Sequence, residues 1–298
     1  MKIGLTGATG FIGQHLLKDY AGSHTFIAAT SHEDDRGFYR HSNIRYVFSD
    51  YSVDSYRSIF AGCDCIVHLG AVKSSPGAEK KMESFYGSIT ACENIFYAAQ
   101  CLGIENIVNI SSRCVYHPSL PKPFKEELTA PLNRYGTAKL CTESIAEIFN
   151  RNYGMKIKSL RLAQVLGLGM RREDLPAVYL SKSLAKEPLS VYGKGASRKE
   201  YIYIKDVTAA VLKACRHSEC SGAFNIGSGE STSNLELAQA YCSVFENPEG
   251  IQMLPDKAED GLSFLMDVTK ARRQLGFHAV FHLADALCDM KRELEEKK

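Results

Sequence analysis

The chain has 298 residues, 45% of them hydrophobic and 23% charged, an ordinary globular composition large enough for one big domain or a domain with a smaller appendage. With 36 basic against 34 acidic side chains the net charge is +2, a balance that points to no nucleic acid and no membrane surface as partner. No apolar run approaches the ~20 residues that a membrane crossing takes, and the opening "MKIGLTGATGFIG" breaks into glycines too early for a signal-peptide core.

From the N-terminus, short apolar strands alternate with amphipathic helices. "KIGLTG" reads as a strand and "FIGQHLLKDYA" as a helix, followed by the strands "TFIAAT", "IRYVFSD" and "CIVHLG". The helix "SITACENIFYAAQCLG", the strand "NIVNISS", the helix "YGTAKLCTESIAEIFNRNYG" and the strand "IKSLRLA" complete six units. Such alternation demands crossover connections, and hence an α/β chain with a doubly wound parallel sheet over residues 1–166. Beyond Gly167 the regularity fades. "GLGMRREDLP" reads as a loop, "YIYI" as a strand, "AFNIGSGE" as a strand ending in a glycine turn, and the rest as mainly helical. A smaller, mainly helical lobe is therefore expected over 167–298, with one strand returning to the first sheet near 222–228.

Chemistry concentrates where strands end. "TGATGFIG" sets Gly7, Gly10 and Gly13 after the first strand and at the opening of a helix. The chain must turn tightly there, let backbone approach a pyrophosphate, and aim a helix N-terminus with its free N–H groups at that anion. Tyr135 and Lys139 lie at i, i+4 on one helix face. A free tyrosine, with a pKa of ~10, is a poor base at neutral pH; a neighbouring ammonium favours the phenolate and makes proton abstraction feasible. The ten cysteines are scattered, and only Cys63 and Cys65 are close, with no second pair at ligand spacing. They read as reduced thiols in a cytoplasmic protein without a metal site.

The G-x-x-G-x-x-G spacing, "HLGAVK", "NRYGTAK", "RLAQVLGLG" and "GAFNIGSGE" together resemble the extended short-chain dehydrogenase/reductases, in particular the nucleotide-sugar 4-epimerases of the NAD-dependent epimerase/dehydratase family. The resemblance runs from residue 1 to about 276 and implies a Rossmann fold whose C-terminal lobe binds substrate. It implies that the dinucleotide lies against Gly7, Thr9, Gly10, Phe11, Ile12 and Gly13, with Thr30, Asp50 and Tyr51 toward adenosine. Leu69, Gly70, Ala71 and Lys73 would lie beneath the pyrophosphate, and Tyr135 and Lys139 beside the cofactor. The choice between NAD and NADP turns on "SHEDDR": Glu33, Asp34 and Asp35 favour NAD, while Arg36 alone suits a 2′-phosphate, so NADP stays an alternative.

In that branch the catalytic hydroxyl stands four residues before the tyrosine of a "VY" pair, which selects Ser112 rather than Ser111 by counting from Tyr116. Dehydratases follow it with an Asp-Glu pair, but this chain has Arg113 and Cys114. Cys114 stands where the similar GDP-fucose synthases place an acid/base cysteine, whereas the histidine they add is missing from "GLGMRREDLPAVYLSK". Implied substrate contacts fall on Lys73, Ser112, Gln164, Arg198, Lys199 and Lys257, with lysines where the family uses arginine forks for a diphosphate. The reading is a nucleotide-sugar 4-epimerase with Ser112, Tyr135 and Lys139 catalytic. A keto-sugar reductase or epimerase-reductase is the alternative, and a non-catalytic dinucleotide sensor a third. Pairing as a homodimer through "SITACENIFYAAQ" and "AKLCTESIAEIF" is a further expectation, although core packing explains the same stripes.

Overall fold

The computed structural model describes residues 1–32, 37–70 and 82–296. Elements follow in the order β1 (Lys2–Thr6), α1 (Phe11–Tyr20), β2 (Thr25–Thr30), β3 (Ile44–Phe48), α2 (Val53–Phe60), β4 (Cys65–His68), α3 (Met82–Cys101) and β5 (Asn106–Ser112). Next come α4 (Arg134–Tyr153), β6 (Lys156–Leu162), β7 (Gln164–Leu166), α5 (Leu175–Ala185), β8 (Leu189–Tyr192), β9 (Arg198–Tyr203), α6 (Ile204–Arg216) and β10 (Gly222–Ile226). The chain closes with β11 (Ser231–Ser233), α7 (Asn234–Val244), β12 (Ile251–Leu254), α8 (Thr269–Leu275) and α9 (Leu283–Glu295).

Among the described residues the main sheet has 7 strands in the order β10-β6-β5-β4-β1-β2-β3, every pairing parallel. Central strands such as β4 are buried along their whole length, as a sheet covered on both faces requires. The order reverses between β1 and β4, and the crevice at the carboxyl ends of those strands is where such sheets take a ligand. One apolar cluster, with Leu16, Leu17 and Val207, fills the face under α1 and α6. A second, with Phe60, Phe96 and Phe149, fills the face under α2, α3 and α4.

The C-terminal part is less helical than its composition implies. β7, β9 and β11 form one small sheet and β8 with β12 another, and the stretch after Gly167 becomes helical from Leu175 on, as α5. β10 leaves this part and pairs with β6 at the edge of the main sheet. No helix among the described residues is long and apolar enough to cross a membrane.

Candidate active site

The turn after β1 is shaped by what its glycines leave out. Gly7 has φ +71°, and a Cβ there would lie 2.9 Å from the Gly70 nitrogen. β1 and β4 therefore meet backbone to backbone at the switch point. A Cβ on Gly13 would be driven into the Gly7 carbonyl oxygen and to 2.7 Å from the Ala8 Cα, so the first turn of α1 lies directly on the loop. Gly10 is the N-cap of α1 and makes no side-chain cap bond, and the first turn carries no acid. Its N–H groups and positive dipole end are left to a ligand anion.

The flanking positions complete the cradle. The Thr9 carbonyl accepts from Gln14 Nε2 at 3.0 Å, the Phe11 ring packs edge-on to His15 and beneath Gly167 and Gly169, and Ile12 and Leu69 pack on the core. Thr30 ends β2 and accepts the His32 N–H at 3.2 Å. Asp50 caps the next turn, its Oδ1 taking the Ser52 N–H at 2.9 Å and Ser52 Oγ at 2.7 Å, which holds its carboxyl below the usual range. Tyr51 adopts φ +64° and turns its hydroxyl to the Ser31 N–H at 3.0 Å. The expectations placed on Glu33, Asp34, Asp35, Arg36, Ala71 and Lys73 lie outside the described residues.

Tyr135 and Lys139 open α4 after an Asn133 cap and share a cleft with His68, Gly70, Ser88, Asn109, Ala138 and Thr142. The buried Lys139 ammonium donates to the Ile110 carbonyl at 2.7 Å and lies 6.0 Å from the centre of the Tyr135 ring. Tyr135 itself is 48% exposed, facing the cleft mouth. His68 bonds through Nδ1 to Thr6 Oγ1 at 2.7 Å, and burial together with the Lys139 charge lowers its pKa to about 3. It stays neutral and orders the floor, since Thr6 Oγ1 also accepts the Gly70 N–H at 3.2 Å.

Ser112 ends β5 and caps a short 3₁₀ turn, Arg113–Val115, its Oγ accepting the Cys114 N–H at 3.2 Å. That leaves its hydroxyl proton to donate. Gly136 lies flat on this turn, because a Cβ there would stand 2.8 Å from the Cys114 carbonyl carbon. Ser111 points the other way and donates to Glu143, which is buried against Arg161 at 2.6 Å. Arg161 reaches on to Tyr116 Oη at 2.8 Å, and Tyr116 to Asn225 at 2.6 Å. This network ties β5, α4, β6 and β10 together, and nothing local in the sequence announced it.

Of the implied substrate residues beyond β6, Gln164, Arg198 and Lys199 already have partners. Gln164 accepts from Arg113 at 2.8 Å. Arg198 spends its guanidinium on Ser231 and on Glu236 at 2.9 Å, and Lys199 pairs with Asp260 at 2.8 Å. Lys257 is exposed on the turn after β12. Glu200, missed in the sequence, is buried and accepts the Gly229 and Met266 N–H groups at 2.8 Å each; burial pushes its carboxyl up to about 7.

A glycine cradle at the switch point of a parallel sheet, beside a Tyr-x-x-x-Lys helix, defines a dinucleotide-dependent enzyme of the extended short-chain type. Known proteins agree: the model of the NAD dependent epimerase/dehydratase family matches residues 3–227. The UDP-glucose 4-epimerase of Lacticaseibacillus casei is 29% identical over 310 residues, spanning 93% of this chain and 91% of that protein. The solved UDP-N-acetylglucosamine 4-epimerase from Bacillus cereus superposes with a TM-score of 0.87 at 28% identity, over 99% of this chain and 96% of that one. A UDP-glucuronic acid 4-epimerase from Bacillus cereus, solved with UDP-glucuronic acid and NAD, shares the fold with a TM-score of 0.84 over 100% of both chains at 21% identity. The chain belongs to the NAD dependent epimerase/dehydratase family and is an NAD-dependent enzyme.

Proposed function

We propose that the protein is a nucleotide-sugar 4-epimerase with Ser112, Tyr135 and Lys139 as its catalytic residues. The observation that carries this reading is the side-chain set around the Tyr135 cleft. Among the described residues its lining supplies a phenol and an ammonium but no carboxylate, Ser112 ends the neighbouring strand β5 with its hydroxyl proton free, and the two positions after Ser112 hold Arg113, bound to Gln164, and Cys114, whose N–H is taken by Ser112 Oγ. A dehydration needs a further acid and base at the sugar, and those positions provide no carboxylate. Reversal at one carbon needs only a proton acceptor that later gives the proton back.

NAD, which the backbone around Gly7, Gly10 and Gly13 would hold, would supply reversible hydride chemistry at the sugar carbon. The remaining work falls to the chain. Ser112 donates its free hydroxyl proton to the reacting sugar oxygen and fixes its distance from Tyr135. Tyr135 takes the hydroxyl proton and returns it after the sugar has turned its other face. Lys139, anchored on the Ile110 carbonyl, favours the phenolate through space. Thr6, His68 and Gly70 hold the floor under the cofactor. The part of the chain from residue 167 on, apart from β10, is read as the substrate lobe, with Lys199 and Lys257 toward the diphosphate.

The test is to load purified protein with NAD, incubate it with UDP-sugars, and resolve the products by chromatography while following absorbance of the reduced nicotinamide. Interconversion of 4-epimers with no net absorbance change is the expected result. Steady net oxidation or reduction would replace the epimerase with the keto-sugar reductase.

A further inference from the structure

Arg113 follows Ser112 directly, and epimerisation as described gives it no task. The register pairs Ser112 with Leu162, so Arg113 and Gln164 both stand just past the carboxyl edge of the sheet, over the ends of β5 and β6. Nη2 of Arg113 donates to Gln164 Oε1 at 2.8 Å, and the guanidinium carbon lies 4.6 Å from the centre of the Phe264 ring. These contacts aim a half-buried cation without neutralising it. Among the described residues no carboxylate forms an ion pair with it. The acid that feels its charge, Glu200, has its oxygens on backbone N–H groups of Gly229 and Met266.

A guanidinium that is positioned, partly desolvated and short of a counter-charge is suited to an incoming anion, which it can grip with its remaining N–H groups. Two anions could arrive with a nucleotide sugar: the diphosphate at C1 and a carboxylate at C6. Position separates them. With the 4-hydroxyl at Ser112 and Tyr135, the C5 substituent hangs from the adjacent ring carbon, whereas C1 lies across the ring. We propose that Arg113 is a specificity-determining residue that receives a C6 carboxylate, so that the preferred substrate is a nucleotide hexuronate rather than a neutral nucleotide hexose. The assignment rests on the epimerase reading for the placement of the 4-hydroxyl.

The experiment is calorimetric titration of the NAD-loaded protein with UDP, UDP-glucose and UDP-glucuronic acid, repeated on Arg113→Met and Arg113→Lys with thermal unfolding as a fold control. A charge-assisted contact predicts that the wild type binds UDP-glucuronic acid about 10- to 100-fold more tightly than UDP-glucose. Arg113→Met should bring the two within about 3-fold while binding UDP as before. No acid preference in the wild type, or a Met variant that weakens UDP and both sugars alike, overturns the assignment; the second result makes Arg113 a diphosphate anchor. Should the Met variant fail to fold, Arg113→Lys decides: a reduced acid preference supports the proposal, and an unchanged one refutes it. Product analysis separates the two readings. Acid preference lost in the variant without any 4-epimer formed removes only the epimerase, and 4-epimer formed without acid preference removes only the role of Arg113.

Discussion

The two walls that the proposed reading sets around the substrate are made in opposite ways. On the cofactor side, the loop between β1 and α1 is backbone from which side chains have been withdrawn, with Gly7 against Gly70 and Gly13 against Gly7. On the lobe side, β9 carries Arg198, Lys199 and Glu200 in succession, each already bound by Glu236, by Asp260 or by backbone N–H groups. The difference teaches how one frame can keep a common cofactor and change its substrate. Backbone donors survive side-chain replacement, while a wall of side-chain pairs can be re-specified pair by pair.

The largest effect is expected where the walls meet. Tyr135→Phe removes the phenol that lines the cleft and should lower turnover by about 10²- to 10⁴-fold, measured as 4-epimer formed, with unfolding temperature little changed because the ring is half exposed. Adding a single methyl to the cofactor wall comes next. Gly13→Ala presses on backbone that has no rotamer to yield, and should weaken NAD about 5- to 150-fold in a binding titration. An affinity within error of wild type would dissolve the contrast between the walls.

The lobe wall should respond more gently and through pH. Burial holds the Glu200 proton in the folded chain up to about 7, whereas the unfolded chain releases it in the ordinary carboxylate range. Between those values the folded state binds more protons. The stability contributed is fully present below that range and falls as pH rises through 7, with a limiting slope of ~1.4 kcal/mol per pH unit. Urea unfolding of wild type and Glu200→Gln between pH 5 and 8 should show the variant's curve to be flatter; parallel curves would place the titration elsewhere. The smallest change in stability is expected from Lys199→Met, below about 1 kcal/mol for a partly exposed pair. The same variant should raise KM for a nucleotide sugar about tenfold with kcat retained if this lysine meets the diphosphate; an unchanged KM removes it from the site.

Legibility followed the range of the interactions. The six early strands and the turn glycines were readable because period, turn chemistry and spacing are local. β7, β8, β11 and β12 were not, since these strands of 3 or 4 residues lie outside the regular strand–helix alternation that frames β4 and exist by pairing with distant partners. For the same reason the sequence showed Ser111 only as a neighbour of Ser112, while its bond to Glu143 spans 32 positions. Arg113 was legible as a departure from dehydratase pattern, but its hold on Gln164 spans 51 positions and emerges only from the sheet register.

The contact of Gly136 with the Cys114 carbonyl has a consequence for tolerance to change. Because Gly136 leaves no room for a side chain between helix α4 and the Cys114 carbonyl, the segments that carry Tyr135 and Ser112 are joined like two halves of one tool. On the proposed reading, the substrate side can be rebuilt around another sugar without resetting the distance between the Ser112 hydroxyl and the Tyr135 phenol. Alignment would then be set by the joint, and fit by the surface built beside it.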